Sequence, residues 1–478
     1  MPALIATAVL IVALVTTLVV RAVLFKPKSI EVKEVDTVFV NAEKATLDLA
    51  EMIRCRTVSD RNPELEDEAE FIKFRTLLPT LFPKVYEECE YIEVGDKSIL
   101  LRWSGKSHDA PTVLMSHYDV VSVVEEDWQR PAFEGILENG VLWGRGTLDT
   151  KGTLNGILQA AEALIAEGFV PERDIYFAFG GDEEINGHGA SDIVNLFRER
   201  GINPGLVCDE GGAVVENVFP GVKQPCALIG IAEKGMLNVE YSVKGGGGHS
   251  SAPKPKTPVG RLSRACVAVE KKPFKFTVSP AARAMLDTLG RHSTFVYKLI
   301  FANLWFFSPV LNVLTKMTGG ELNALVRTTV AFTQMEGSKG VNVIPPYAKM
   351  VSNLRLAPGE TKEGALRRIR KIVKDEGVMI REIDGMNPSV ISKTDCKAYE
   401  TVSAAVFETW KDAIVSPYLM VACSDSRHWG AISDKVYRFS AMALSNEERS
   451  YIHGNNERVP VGTIVKTVEF YIRLMKKC

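Results

Sequence analysis

Four short stretches of the sequence carry imidazole and carboxylate groups at spacings that suit a metal ion. The first is Ser116-His117-Tyr118-Asp119. In extended backbone His117 and Asp119 face the same side, so the carboxylate can orient the imidazole. The second is the glycine-rich run Gly144–Gly152, which ends on Asp149 and opens a helix. The third is Gly181-Asp182-Glu183-Glu184, and the fourth Cys208-Asp209-Glu210-Gly211-Gly212. Singly, each has a plainer reading: a structural histidine, a solvated acidic turn, or an aspartate capping a helix. Together they are a different matter, because that many acids in one crevice cannot all stay ionised without a cation. A mixed histidine and carboxylate set suits zinc, with manganese or cobalt as substitutes, and one bridging carboxylate would let it hold two ions. A dinucleotide loop at Gly144–Gly152 is a poor fit, since Asp149 stands where a third glycine should be. Gly245–Gly248 lacks the Gly-Lys-Ser/Thr ending of a phosphate loop.

These stretches need elements to bring them together, and the apolar pattern supplies them. Ala45, Leu49, Met52 and Ile53 recur at helical spacing. Thr112–Ser116, Ile175–Phe179 and Leu206–Cys208 read as short buried strands, with helices over Leu154–Ile165 and Ile193–Arg200 between them, stopped by Gly168 and Gly201. Strands alternating with helices predict an α/β sheet, in which ligands gather beyond the carboxyl ends of the strands. All but one of the four stretches directly follow such strands. After about Gly230 the texture changes. Leu237–Val243 alternates like a strand, residues 255–320 are mostly helical, and Thr328–Thr333 and Lys349–Leu354 read as further strands. The α/β texture resumes from about Lys393.

The first residues do not belong to this body. Pro2–Val20 carries no charged side chain, which is long enough to cross a membrane. A single anchor is expected over residues 1–28, a cleaved signal peptide being the alternative. Arg21, Lys26 and Lys28 follow the apolar run, which favours the body in the cytoplasm. Lys28–Asp36 reads as a polar spacer. Phe295–Leu314 is also very apolar but is broken by Lys298, Asn303, Ser308-Pro309 and Asn312. A buried helical pair, or an apolar face for substrate or dimer contact, is expected there rather than a second span. The chain has 478 residues, 46% hydrophobic and 24% charged, enough for two or three domains and unlike a disordered chain. Its 57 basic and 59 acidic residues give a net charge of −2 and no electrostatic reason to expect a nucleic-acid partner. Eight scattered cysteines without a C-x-x-C pair argue against a disulfide framework.

With these residues in view, the chain resembles the two-zinc carboxypeptidase and aminoacylase family, most closely its carboxypeptidase S branch and the related N-acyl amino acid amidohydrolases. The resemblance rests on the His117–Val121, Gly144–Gly152, Asp182–Glu184, Asp209–Gly212, Gly247–Pro253, Asn342–Pro346 and Ile452–Glu457 segments, in family order. It implies that His117 and Glu210 hold one metal, that Glu184 and His453 hold the other, and that Asp149 bridges them. Asp209 replaces Glu210 if the register is shifted by one. Asp119 would orient His117, Glu183 would be the general base, and His249 would stabilise the oxyanion, from a partner subunit if the chain is a homodimer. Arg355, Arg427 and Asn342 are the implied substrate contacts, although Cys423 and Ser424 stand where the family usually has two glycines before the arginine loop.

The expectation is therefore an α/β, zinc-peptidase-like catalytic domain with a mixed sheet flanked by helices, carrying an inserted, smaller α+β lid. The expected boundaries are 1–28 for the anchor, 29–230 for the first catalytic part, 231–358 for the lid and 359–478 for the second catalytic part. The implied activity is zinc-dependent hydrolysis of amide bonds, as a carboxypeptidase on short peptides or an amidohydrolase on N-acyl amino acids. A dipeptidase or deacylase of another subclass, or a non-catalytic binding homologue, is the alternative.

Overall fold

The chain begins with α1 (Pro2–Leu24), the one described helix that by itself is long and apolar enough to cross a membrane. The computed structural model describes residues 1–27 and 35–478, so the spacer expected at Lys28–Asp36 falls mostly outside the described residues. The body opens with α2 (Ala42–Ile53), whose first turn is capped by Asn41 accepting a hydrogen bond from Lys44 N at 3.1 Å. There follow β1 (Ile99–Trp103), β2 (Ser107–His117), α3 (Lys151–Ala166), β3 (Arg173–Gly180), α4 (Gly189–Glu199), β4 (Leu206–Asp209) and β5 (Cys226–Glu233). Next come β6 (Gly235–Lys244), β7 (Gly248–His249), α5 (Pro258–Glu270), α6 (Pro280–His292), α7 (Phe295–Phe301) and α8 (Leu304–Thr318). The chain continues through β8 (Thr329–Glu336), β9 (Val343–Ile344), β10 (Tyr347–Leu356), α9 (Lys362–Val373) and β11 (Met379–Met386). It closes with α10 (Lys397–Thr409), β12 (Ile414–Met420), β13 (Val436–Arg438) and α11 (Val461–Met475).

The larger sheet has ten strands, and its centre runs β1–β3–β2–β4–β13–β5 with β12 beside β5. It is mixed: β2 is parallel to β3 and β4, and β1 is antiparallel to β3. Alternation along β3 explains its continuous apolar run. Ile175, Phe177 and Phe179 face a core built with α2, α3 and α11, while Tyr176 and Ala178 face α4 through Phe197. Leu154, Ile157 and Leu158 of α3 are fully buried against the sheet. Each such side chain contributes about 1.5–3 kcal/mol by leaving water. The parallel strands end together, so His117, Gly180 and Asp209 lie along one edge of the sheet.

The smaller sheet is antiparallel, in the order β8–β10–β6–β11. Leu237, Val239, Tyr241 and Val243 alternate along β6 and bury one face under α5 and α9. This corrects the boundary expected at 358. β11 pairs with β6 from Met379 to Met386, so α9 and β11 belong to this unit. The helices between 280 and 318 do not belong to its core. Ala282, Met285 and Leu289 of α6 pack into the core of the large sheet. α7 and α8 form a pair bent by 102°, and its outward face is exposed rather than buried.

Candidate active site

His117 is the last residue of β2, and Asp149 sits at the end of the glycine-rich loop just before α3. The imidazole Nε2 of His117 lies 3.1 Å from Asp149 Oδ1. Across the same carboxylate, Nε2 of His453 lies 3.0 Å from Asp149 Oδ2 and 3.0 Å from Glu184 Oε2. One donor atom each from His117, Asp149 and Glu184 lies within 4.8 Å of the others. Asp149 thus stands between the two imidazoles, the position a bridging ligand requires. His453 is the most exposed member, and it adopts a left-handed φ of 58°, which a non-glycine residue keeps only where the surroundings enforce it.

The charges around this centre do not balance without a cation. Burial pulls His117 down, yet Asp119 and Asp149 overcome it and hold the imidazole well above its usual value. Hydrogen bonding to Asp149 and Glu184 lifts His453 to about 10. Burial pushes Glu210 well up, and Asp149, Asp209 and Glu184 push it further against the pull of His117. Glu183 is raised by burial, then by Asp425, Glu210 and Glu184, with His117 opposing. The centre gathers two imidazoles and several carboxylates. That donor set fits divalent ions of the zinc, manganese and cobalt type.

Asp119 does more than orient one ring. Its carboxylate lies 3.3 Å from His117 Nδ1, and it accepts Ser59 Oγ at 2.7 Å, Glu183 N at 3.2 Å and Glu184 N at 3.0 Å. His117 Nδ1 also lies 3.0 Å from the backbone oxygen of Asp119. One carboxylate therefore fixes both an imidazole and the turn carrying two glutamates. Glu183 and Glu184 consequently point differently. Glu184 meets His453, whereas the Glu183 carboxylate has no hydrogen-bond partner among the described residues. Asp182 is a structural acid, receiving His188 N and Gly189 N at the start of α4.

Asp209 and Glu210 also separate. Asp209 accepts Ser426 N at 2.9 Å and faces a buried network, while the Glu210 carboxylate feels the charges of Asp149, His117 and Glu184. In that network Glu233, at the end of β5, takes Arg438 Nε at 2.5 Å, Ser424 N at 3.0 Å and Ser426 Oγ at 3.1 Å. It holds the Cys423–Arg427 loop against the sheet. Arg427 donates to Ser424 O at 2.8 Å and to Asn186 Oδ1 at 3.3 Å, and Arg355 reaches Cys423 Sγ at 3.4 Å. Both arginines thus converge on one loop. A cavity of about 620 Å³ opens beside them, between Asn186, Arg427 and His428 on one side and Met236 and Met386 of the small sheet on the other.

Two expected residues are not brought to this cluster. His249 is exposed on β7, which pairs with β9, and its ring bonds Ser251 Oγ at 2.8 Å. Asn342 lies alongside, its backbone oxygen accepting Ser250 N at 3.0 Å. Other residues carry more than their sequence context suggests. Glu457 is fully buried and takes Arg145 Nη1 at 2.7 Å, Gly146 N at 3.0 Å, Leu148 N at 2.7 Å and Asp149 N at 3.1 Å. It shapes the loop that presents Asp149, and its only sequence signal is its place four residues after His453. Asp425, buried and lifted to about 7 by burial and then by Asp209 and Asp182 against Arg427, was visible only as the acid of the arginine loop.

The comparisons with known proteins agree with this geometry. Residues 113–477 match the model of peptidase family M20/M25/M40, a span that starts within β2 and ends in the last turns of the chain. A probable carboxypeptidase S-like 2 from Dictyostelium discoideum is 34% identical over 417 residues, covering 86% of this chain and 80% of that protein. The N-fatty-acyl-amino acid synthase/hydrolase PM20D1 of Xenopus tropicalis is 35% identical over 446 residues, covering 91% and 86%. Among solved structures, the M20 family metallo-carboxypeptidase Sso-CP2 from Sulfolobus solfataricus superposes with a TM-score of 0.67 at 16% identity, covering 90% of this chain and 98% of that one. With the fold, the order of the motifs and the buried acid–imidazole centre all in agreement, the chain belongs to peptidase family M20/M25/M40 and is an amide-hydrolysing enzyme of that family.

Proposed function

We propose that the enzyme holds two zinc ions and cleaves an amide whose nitrogen belongs to an amino acid with a free carboxylate. The substrate is a short peptide losing its C-terminal residue, or an N-acyl amino acid. His117, Asp149 and Glu210 would hold one ion, and Asp149, Glu184 and His453 the other. When bound, such ions polarise the scissile carbonyl and acidify water. Glu183 takes a proton from the attacking water and returns it to the leaving nitrogen. The observation that carries this reading is the contrast between the two adjacent glutamates: Glu184 is engaged with His453, and the Glu183 carboxylate has no hydrogen-bond partner among the described residues. Asp119 keeps His117 in its ligating orientation. Arg355 and Arg427 grip the substrate carboxylate, since a guanidinium binds one with two parallel bonds. The small sheet acts as a lid over the cleft. His249, remote from the cluster in its own chain, serves the site of a second subunit in a homodimer. α1 anchors the enzyme in a membrane, with the body on the cytoplasmic side by the charge rule.

Hydrolysis of matched substrates tests the reading. Purified enzyme should cleave dipeptides or N-acyl amino acids, lose activity to a chelator, and regain it with zinc, manganese or cobalt. Blocking the substrate carboxylate as an amide should sharply raise KM, and Arg355→Ala should raise it for the free acid. Equal rates for the free acid and its amide would overturn the carboxylate requirement.

A further inference from the structure

The bend between α7 and α8 is tied to the base of α1 by hydrogen bonds that centre on one buried amide. Asn303 is fully buried at the bend; its Nδ2 donates to Leu18 O at 3.0 Å and Leu299 O at 2.9 Å. Its Oδ1 accepts Arg21 Nε at 3.0 Å, and Arg21 Nη2 donates to Ala302 O at 3.0 Å. Just beyond α1, Arg291 of α6 donates to Lys26 O at 3.1 Å and stacks over the Phe25 ring at 4.5 Å. The helix pair is therefore built onto the end of the anchor, and the polar groups at the joint are satisfied from within the protein, as any polar group at membrane depth must be.

From that joint α8 presents an uncovered stripe. Phe306, Val310, Val313, Leu314 and Met317 stand three or four apart along it, with Trp305 just before them; they are 40%, 54%, 55%, 50% and 79% exposed, and Trp305 is 60% exposed. The opposite side is different: Thr315 is buried, and it receives Arg327 Nη2 at 2.9 Å. Residues three and four apart share one helix face, so the stripe is a continuous apolar surface. Isolated surface apolars need no explanation, but a contiguous stripe of this kind does. α8 has 15 residues, about 22 Å of helix, which is shorter than the roughly 30 Å hydrocarbon core. With the 102° bend it cannot complete a straight span with α7. Arg21, Arg291, Lys298 and Lys316 lie around the base of α1 and the ends of the pair, where they can meet lipid headgroups. Aromatic Phe295, Tyr297 and Trp305 are the residue types of a membrane interface.

We propose that α7 and α8 form a second, monotopic membrane element that dips into one leaflet beside α1 and lays the Trp305–Met317 face against lipid. The occupant is the bilayer because the stripe continues from the anchor itself, sharing its exit point through Leu18, Arg21 and Asn303. The proposal rests on α1 being a membrane anchor. It gives the enzyme a fixed posture at the surface. It also places α8 against a pool of long-chain amphiphiles. The C-terminal end of α8 opens on a cavity of about 620 Å³ between Thr318, Leu322 and Arg449, next to the loop that carries His453.

The full chain in phosphatidylcholine vesicles provides the test, because α1 contains no tryptophan. Emission from Trp305 is taken as the difference between the protein and its Trp305→Phe variant, with lipids unlabelled or brominated high in the acyl chain. Most of that difference emission should be quenched by the brominated lipid. A Val310→Lys, Leu314→Lys double variant should still float with the vesicles through α1 while Trp305 loses its quenching. A vesicle-bound protein with unquenched Trp305 overturns the proposal and leaves the anchor intact. Failure of the protein to float with vesicles overturns the anchor reading itself, and this one with it. Trp305 found shielded by a second copy of the chain in vesicles, rather than by lipid, also overturns it.

Discussion

Glu457 and Arg145 show how much of this site depends on groups that never meet substrate. Both side chains are buried, and the carboxylate spends its remaining lone pairs on three backbone N–H groups of the Asp149 loop. Removing the charge strands Arg145 in the interior, which typically costs about 3–5 kcal/mol. Glu457→Gln should lower stability by that order in chemical denaturation and weaken metal binding through the loop. A second residue-scale consequence concerns His428. Burial, and then Arg427, lowers its imidazole from 6.5 to about 4. The unfolded chain takes up a proton as pH falls through 6.5, whereas the folded chain resists until about 4. Stability from this group is therefore present above pH 6.5 and lost as pH falls from 6.5 to 4. Because the side chain is only partly buried, the loss is discounted to about 1–2 kcal/mol. His428→Asn should flatten the melting temperature across that range, and an unchanged slope would assign it to other groups. Part of this scale was legible in the sequence: His117, Asp149, Glu184 and His453, each singled out there, lie in one cluster. The hidden contributors were acids such as Glu457 and Asp425, whose partners lie hundreds of residues away or across the sheet, so no local pattern announces them.

At the scale of elements, the parallel strands do the positioning. β2, β3 and β4 end on one edge and release His117, the Glu183–Glu184 turn and Glu210 into the same space. The glycine-rich loop must then fold tightly enough to bring Asp149 in from the side. Gly146 has φ of 93°, and a Cβ on Gly152 would sit 2.2 Å from Thr147 O. Gly152→Ala should leave the sheet intact but displace Asp149. Metal content per chain should fall, with circular dichroism little changed; a fully loaded variant would contradict this view of the loop. The strands and helices were legible because apolar periodicity is local. The pairing of β11 with β6 was not. Met379–Met386 alternates too weakly to declare its partner, and the sheet closes over more than a hundred intervening residues. Its membership moved the end of the smaller unit from 358 to about 386.

For the whole molecule, a polar, charge-dense centre lies at the carboxyl ends of the parallel strands, while exposed apolar side chains run along α1 and α8. The central chemical claim is narrower: of two adjacent glutamates, one moves protons and the other holds metal. It is tested most directly by measuring bound metal and kcat together in Glu183→Gln and Glu184→Gln. Glu183→Gln should keep the wild-type metal content while kcat falls by about 10²-fold or more. Glu184→Gln should lose metal. If Glu183→Gln instead loses metal and recovers its turnover when excess metal is supplied, Glu183 is a ligand and the assignment of the general base is wrong.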